Sequence, residues 1–133
     1  MIQNSKQEHQ TLIQIPQNNK RDFFGLYLEL LKDFPPLNKL RPKERKFVAL
    51  LMYYKDLYKL LPDERDALIF SAGHRKKINK ELGIADSTGY NMLKEIRKKK
   101  VLIGKNLISI LNINPDKVFK LIFNFKIKDN ENM

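Results

Sequence analysis

One stretch, from Lys76 to Ile110, limits what this chain can fold into: KKINKELGIADSTGYNMLKEIRKKKVLIGKNLISI. Ile78 and Leu82 recur at helical spacing, and Gly83 then interrupts the pattern. Glycine accepts the left-handed backbone that a sharp stop between two helices requires, so a helix over 74–82 should end there. Ile84 plugs the turn, and Asp86 or Ser87 is placed to cap a second helix by accepting its first free amides. Gly89, Met92, Leu93 and Ile96 mark the inward face of that helix, expected over 86–100. Two β-rich runs, Val101 to Ile103 and Leu107 to Ile113, flank Gly104-Lys105-Asn106 and predict a hairpin.

The net charge of +11 is concentrated on the same stretch. Ser71 to Lys105 holds ten Lys/Arg against three Asp/Glu, whereas Met1 to Phe70 holds twelve against nine and Asn106 to Met133 four against three. A local basic field attracts polyphosphate by releasing its counterions. A solvated lysine-rich surface is the plainer reading of charge alone; its placement on this motif favours a nucleic-acid partner.

The remainder is expected to support that unit. Residues 1–20 are rich in Gln and Asn and read as a flexible N-terminal arm, in which Thr11 to Pro16 is either a short strand or a docking arm. Phe23, Phe24, Tyr27, Leu28, Leu30 and Leu31 predict a helix over 21–33, stopped by Pro35 and Pro36. A second helix over 42–61 opens at Pro42, a residue suited to the first turn. Its stripe from Phe47 to Leu61 is so broad that the helix either forms the centre of the core or pairs with a second copy of the chain. Pro62, Asp63, Glu64 and Asp66 open a short helix over 63–71, their carboxylates facing the positive end of its dipole rather than a substrate. Leu68, Ile69 and Phe70 should feed the core. In Val118 to Lys128, Phe119, Leu121, Phe123, Phe125 and Ile127 alternate with Lys120, Asn124, Lys126 and Lys128, predicting a half-buried strand that extends the hairpin sheet or covers the long helix. Residues 129–133 read as a tail.

Several classes are excluded or disfavoured. With no cysteine there is no disulfide and no thiolate metal site. His9 and His74 have no ligand-spaced partners, and the five glycines form neither a phosphate loop nor a dinucleotide fingerprint. No cofactor and no catalytic activity are expected. No apolar run approaches the roughly 18 residues of a membrane span. The opening MIQNSKQEHQ lacks the apolar core of a secretion signal. The expected location is therefore the cytoplasm, or a particle assembled there.

ELGIADSTGYNMLKEIRKKKVL resembles the helix-turn-helix of bacterial winged-helix regulators, in which Ile78, Glu81, Leu82, Gly83, Ile84, Ser87, Thr88, Leu93 and Ile96 have counterparts. The likeness covers about a quarter of the chain, or about a third with the hairpin as the wing. The hairpin, the following NINP and the aromatic strand are also similar to phage and plasmid replication initiators. The implied fold is mainly α with a small antiparallel sheet, one winged-helix domain over 21–128 preceded by N-terminal helices.

In such a fold the second helix enters the major groove. Ser87, Asn91, Lys94 and Lys98 would then face double-stranded DNA, with Thr88 and Tyr90 flanking. Asn91 suits adenine; Lys94, Arg97, Lys98, Lys99 and Lys100 suit phosphates, as do Arg75, Lys76 and Lys77 on the first helix. Lys105 and Asn106 would reach out from the wing tip. For each lysine the alternative is a solvated charge, and for Tyr90 packing against the wing.

Two departures from the family pattern are informative. A small residue, often alanine, is usual at Asn79, and valine or isoleucine at Gly89. Exchanging bulk across a contact conserves volume, so the Asn79 side chain should fill the space opposite Gly89.

Transcription regulation or replication initiation in a bacterium, phage or plasmid is the leading expectation, with other phage or replication proteins as further partners. The alternative is a virion, assembly or genome-packaging protein that uses the same fold for protein contacts. An RNA-binding accessory protein is a third reading.

Overall fold

The computed structural model describes residues 9–128. The protein is mainly helical with one small antiparallel sheet. Among the described residues five helices follow in order: α1 (Lys20–Leu31), α2 (Pro42–Leu57), α3 (Pro62–Ile69), α4 (Ala72–Leu82) and α5 (Asp86–Lys98). Strands β1 (Leu102–Ile103) and β2 (Asn106–Leu107) close the hairpin, pairing Leu102 with Leu107 and Ile103 with Asn106. Single 3-10 turns lie at Leu37–Lys39 and Ser109–Leu111.

α2 is the centre of the core and packs on α1, α3, α4 and α5. Phe47, Val48, Leu50, Leu51, Met52 and Tyr54 are all buried within one chain, and burying each large apolar side chain stabilises the fold by about 1.5–3 kcal/mol. Most of the broad stripe on α2 is thus buried inside the protomer. The helix also ends earlier than its apolar pattern implies. Tyr58 and Leu61 are extended. A residue before proline is pushed out of the helical region, which accounts for Leu61. Leu57, Leu60 and Leu61 are exposed, as are Leu30 on α1 and Leu68 on α3.

Both ends of the chain differ from expectation. Residues 9–17 form no strand and are exposed, and residues 1–8 and 129–133 lie outside the described residues. The arm ends sooner than residue 20, because the Asn19 side chain caps α1 by accepting from the Asp22 amide at 2.8 Å. Residues 118–128 form no strand. Alternation specifies which side of a segment faces apolar surroundings, whereas a ladder also needs a free edge within reach. Here the two-residue hairpin supplies none. The segment instead crosses α1, where the Phe119 ring centre lies 5.8 Å from that of Tyr27 and Phe123 lies 5.1 Å from Phe34.

Candidate nucleic-acid interface

α4 and α5 meet at Gly83, whose backbone is left-handed with φ of 68°. The Ile84 amide donates to the Asn79 carbonyl at 2.9 Å and the Gly83 amide to Lys80 at 3.1 Å. These bonds satisfy carbonyls that the last turn of a helix otherwise leaves free. Gly83 thus acts as its position in the sequence implies. The capping expectation does not hold. The cap position of α5 is Ala85, Asp86 is already helical, and no side chain caps this end. Asp86 instead accepts from Asn79 Nδ2 at 3.1 Å, tying the first turn of α5 to α4.

Asn79 and Gly89 face each other as their volumes suggest. Both are buried. A Cβ placed on Gly89 would lie less than 3.0 Å from Oδ1, Cγ and Nδ2 of Asn79. The missing side chain on α5 is what lets this amide sit between the helices. Asn79 Oδ1 itself has no hydrogen-bond partner in the described structure.

The outward side of α5 is open. Ser87, Thr88, Tyr90, Asn91, Lys94 and Lys98 are exposed, while Gly89, Leu93 and Ile96 are buried. None of these six exposed side chains makes a hydrogen bond or ion pair among the described residues. Thr88 and Asn91 turn toward a groove of about 460 Å³ whose other wall is Arg41 to Glu44 at the start of α2. Tyr90, 60% exposed, lines a cleft with Ala72, Arg75 and Lys76 of α4 rather than packing on the hairpin.

The basic run after Glu95 is divided between roles. Lys99 Nζ donates to Glu44 Oε1 at 2.6 Å, and Glu44 also accepts from the Arg41 amide at 2.8 Å. One buried carboxylate therefore holds the end of α5 and the start of α2 together. Arg97 Nε donates to the Gly104 carbonyl at 2.9 Å, and its guanidinium lies 5.5 Å from the Phe70 ring centre. Arg97 and Lys99 are thereby committed to internal contacts. Lys98 and Lys100 remain exposed, Lys100 with the left-handed φ of 66° that turns the chain into β1.

On α4, Lys76 is exposed and Arg75 half-buried. Lys77 is drawn to the other side of the helix, its ammonium 5.1 Å from the Tyr54 ring centre on α2. At the hairpin tip, Lys55 Nζ donates to the Lys105 carbonyl and to Asp66 Oδ1, both at 2.8 Å. Burial alone would raise the Asp66 carboxyl, but hydrogen bonds from Lys55 and Arg65 outweigh it and hold it below the usual range. Lys55 and Arg97 thus pin the tip by its backbone, and the side chains of Lys105 and Asn106 are exposed.

Two basic residues beside this surface escape a motif-centred reading: Arg41 and Lys43, both exposed, flanking Pro42. Their signal is visible in the sequence. First turns favour acids, because the helix dipole is positive there, so two cations around the opening proline suit an external anion.

No family model, curated protein or solved structure matches the chain.

Behind the surface lies a polar cluster. His74 is buried, its Nε2 lies 2.7 Å from the Tyr58 hydroxyl, and its ring meets Tyr54 edge-on. The Tyr54 hydroxyl donates to Glu81, which also pairs with Arg21. Burial and the Glu81 carboxylate push Tyr54 up to about 12. Burial, then the nearby Lys77 charge, lowers the His74 pKa, although Glu81 opposes this. The imidazole is therefore neutral when folded, and protonating it opposes folding. Its effect is absent above the unfolded pKa of about 6.5, grows as pH falls from there toward the depressed folded value, and levels off below it. The urea midpoint should drop between pH 7 and pH 5, and His74→Gln should flatten that drop. An unchanged pH dependence in the variant would remove His74 as its cause.

Proposed function

We propose that this chain is a double-stranded DNA-binding protein of winged helix-turn-helix form. It serves as a transcription regulator or replication-initiation factor of a bacterium, phage or plasmid, and α5 is its groove-reading helix. The observation that carries this reading is the outward side of α5. Five residues there, Ser87, Tyr90, Asn91, Lys94 and Lys98, are exposed and make no polar contact among the described residues. They combine an amide, hydroxyls and two ammonium groups on one side of a helix, a set that suits base edges and phosphates together.

The surroundings support the same reading. Arg41 and Lys43 stand on one side of α5, Lys76 and Arg75 on the other, and Lys105 and Asn106 on the hairpin. All lie on elements packed against α5 or joined to it, so they form a rigid frame rather than a set of loose charges. Asn91 and Ser87 suit base contacts; Lys94, Lys98, Lys100, Lys76, Arg41 and Lys43 suit phosphates; Lys105 serves as a flanking contact. Arg97 and Lys99 position the hairpin and α5, and Lys77 braces α4 against Tyr54.

The test is selection from a random duplex pool at several salt concentrations. Enrichment of a shared motif, with affinity falling steeply as salt rises, is the expected result. A pool that enriches nothing, together with co-purification of a protein ring or capsid, would replace this reading with the assembly role.

A further inference from the structure

The segment after the Asn114–Lys117 turn has an unusual combination of properties. Among the described residues, the backbone of Val118 to Lys128 makes no hydrogen bond. It is nevertheless rich in β-branched and aromatic residues and alternates cleanly. Phe119 and Leu121 rest partly on the protein, at 38% and 39% exposure, while Val118 and Ile122 stand outward at 94% and 90%. Such a segment presents unpaired amides and carbonyls along both edges, a template for strand pairing. The hairpin of the same chain has two residues per strand and cannot satisfy it.

The sequence of this segment names its partner. Val118 to Lys126 reads VFKLIFNFK, and its apolar and polar positions are nearly symmetric about Ile122. Laid antiparallel against itself with Ile122 at the centre, it sets Phe119 opposite Phe125, Leu121 opposite Phe123, Lys120 opposite Asn124 and Val118 opposite Lys126. No lysine then faces a lysine. The adjacent registers are worse. Centring on Phe123 sets Lys120 opposite Lys126 twice, and like charges directly opposed destabilise a ladder. Centring on Leu121 pairs only residues 118–124, a shorter ladder, because the Asn114–Lys117 turn ends the segment, and it sets Val118 opposite Asn124 and Lys120 opposite Ile122. A two-fold axis normal to the ribbon keeps both aromatic rows on one side, so each strand stays on its own α1.

We propose that residues 118–126 pair antiparallel with the same residues of a second copy, centred on Ile122, making the protein a two-fold dimer. This interface is independent of the α5 surface and does not rest on the DNA-binding reading. It also differs from pairing through α2, most of whose apolar residues are buried within one chain.

The absence of cysteine from the chain makes the register directly testable. Ile122 faces outward, so Ile122→Cys leaves the fold intact and places a thiol next to its own copy. Mild oxidation of the full-length variant should give a disulfide-linked dimer on a non-reducing gel. Lys126→Cys should not, because the two copies of residue 126 are eight residues apart along the ladder, about 27 Å. In solution the unmodified chain should have twice the 15.8 kDa mass of one copy. Ile122→Pro should return it to one copy with unchanged helical circular dichroism, since proline removes a ladder donor where the chain itself makes no bond. A single-copy mass for the unmodified chain at micromolar concentration would overturn the proposal. So would a dimer that survives Ile122→Pro, or equal crosslinking of the two cysteine variants.

Discussion

Gly89→Val should destabilise the protein by about 2–4 kcal/mol, and adding Asn79→Ala to it should restore most of the loss. A Cβ alone at position 89 already meets the buried Asn79 amide at less than 3.0 Å, and valine adds two methyl groups. Overpacking of this kind costs about 1–3 kcal/mol. Rotating Asn79 away relieves the clash but breaks its bond to Asp86, which costs about another 1 kcal/mol. Against this, valine is a better helix former than glycine by a few tenths of a kcal/mol. The clash therefore decides the sign. Asn79→Ala by itself leaves a void and loses the Asp86 bond, partly offset by alanine's helix propensity, so its net cost is about 1 kcal/mol. In the double variant alanine and valine refill the contact, and no polar group is left buried there. Thermal unfolding of all four proteins measures the coupling, expected at about 2–3 kcal/mol in favour of the pair. A Gly89→Val protein as stable as the parent would mean that the two residues do not compete for space.

That exchange was legible before any coordinates because it concerns residues ten apart in sequence on two helices joined by a short turn. The same holds for Gly83, whose backbone role follows from the break it makes in a helical pattern, and for the helix order, which periodicity and prolines largely specify. What was not legible depends on distant partners. Nothing local to RKKK shows that Lys99 will meet a carboxylate from residue 44, or that Arg97 will turn back to the Gly104 carbonyl. A run of four cations therefore looks uniform in sequence and is divided by the fold. The last apolar run failed differently. Phe119 and Leu121 are partly covered as its alternation implies, but Phe125 and Ile127 on the same side are exposed, and covering one side does not supply a neighbouring edge, so residues 118–128 form no strand within one chain. The α2 stripe was ambiguous for a third reason: a helix buried on several sides has the same pattern whether its neighbours belong to its own chain or to another.

The charge reversals Lys94→Glu and Lys98→Glu should together weaken duplex binding by about a thousandfold at low salt. Each ammonium at about 4 Å from a phosphate contributes about 1 kcal/mol in water, and reversal turns that attraction into a similar repulsion. Two reversals therefore amount to about 4 kcal/mol, and each 1.4 kcal/mol is tenfold. The fold should tolerate them, because both side chains are exposed and make no polar contact in the described structure, and such surface changes shift stability by about 0.5 kcal/mol or less. Neutral replacements test the same contacts. Lys94→Gln and Lys98→Gln should each lower the slope of log affinity against log salt by about 0.9 if each lysine neutralises one phosphate. Asn91→Ala should leave that slope unchanged and relax preference at one base pair, at a cost of about 1–3 kcal/mol. If reversal at 94 and 98 leaves duplex affinity unchanged, the outward side of α5 is not where duplex binds, and the functional reading built on it fails.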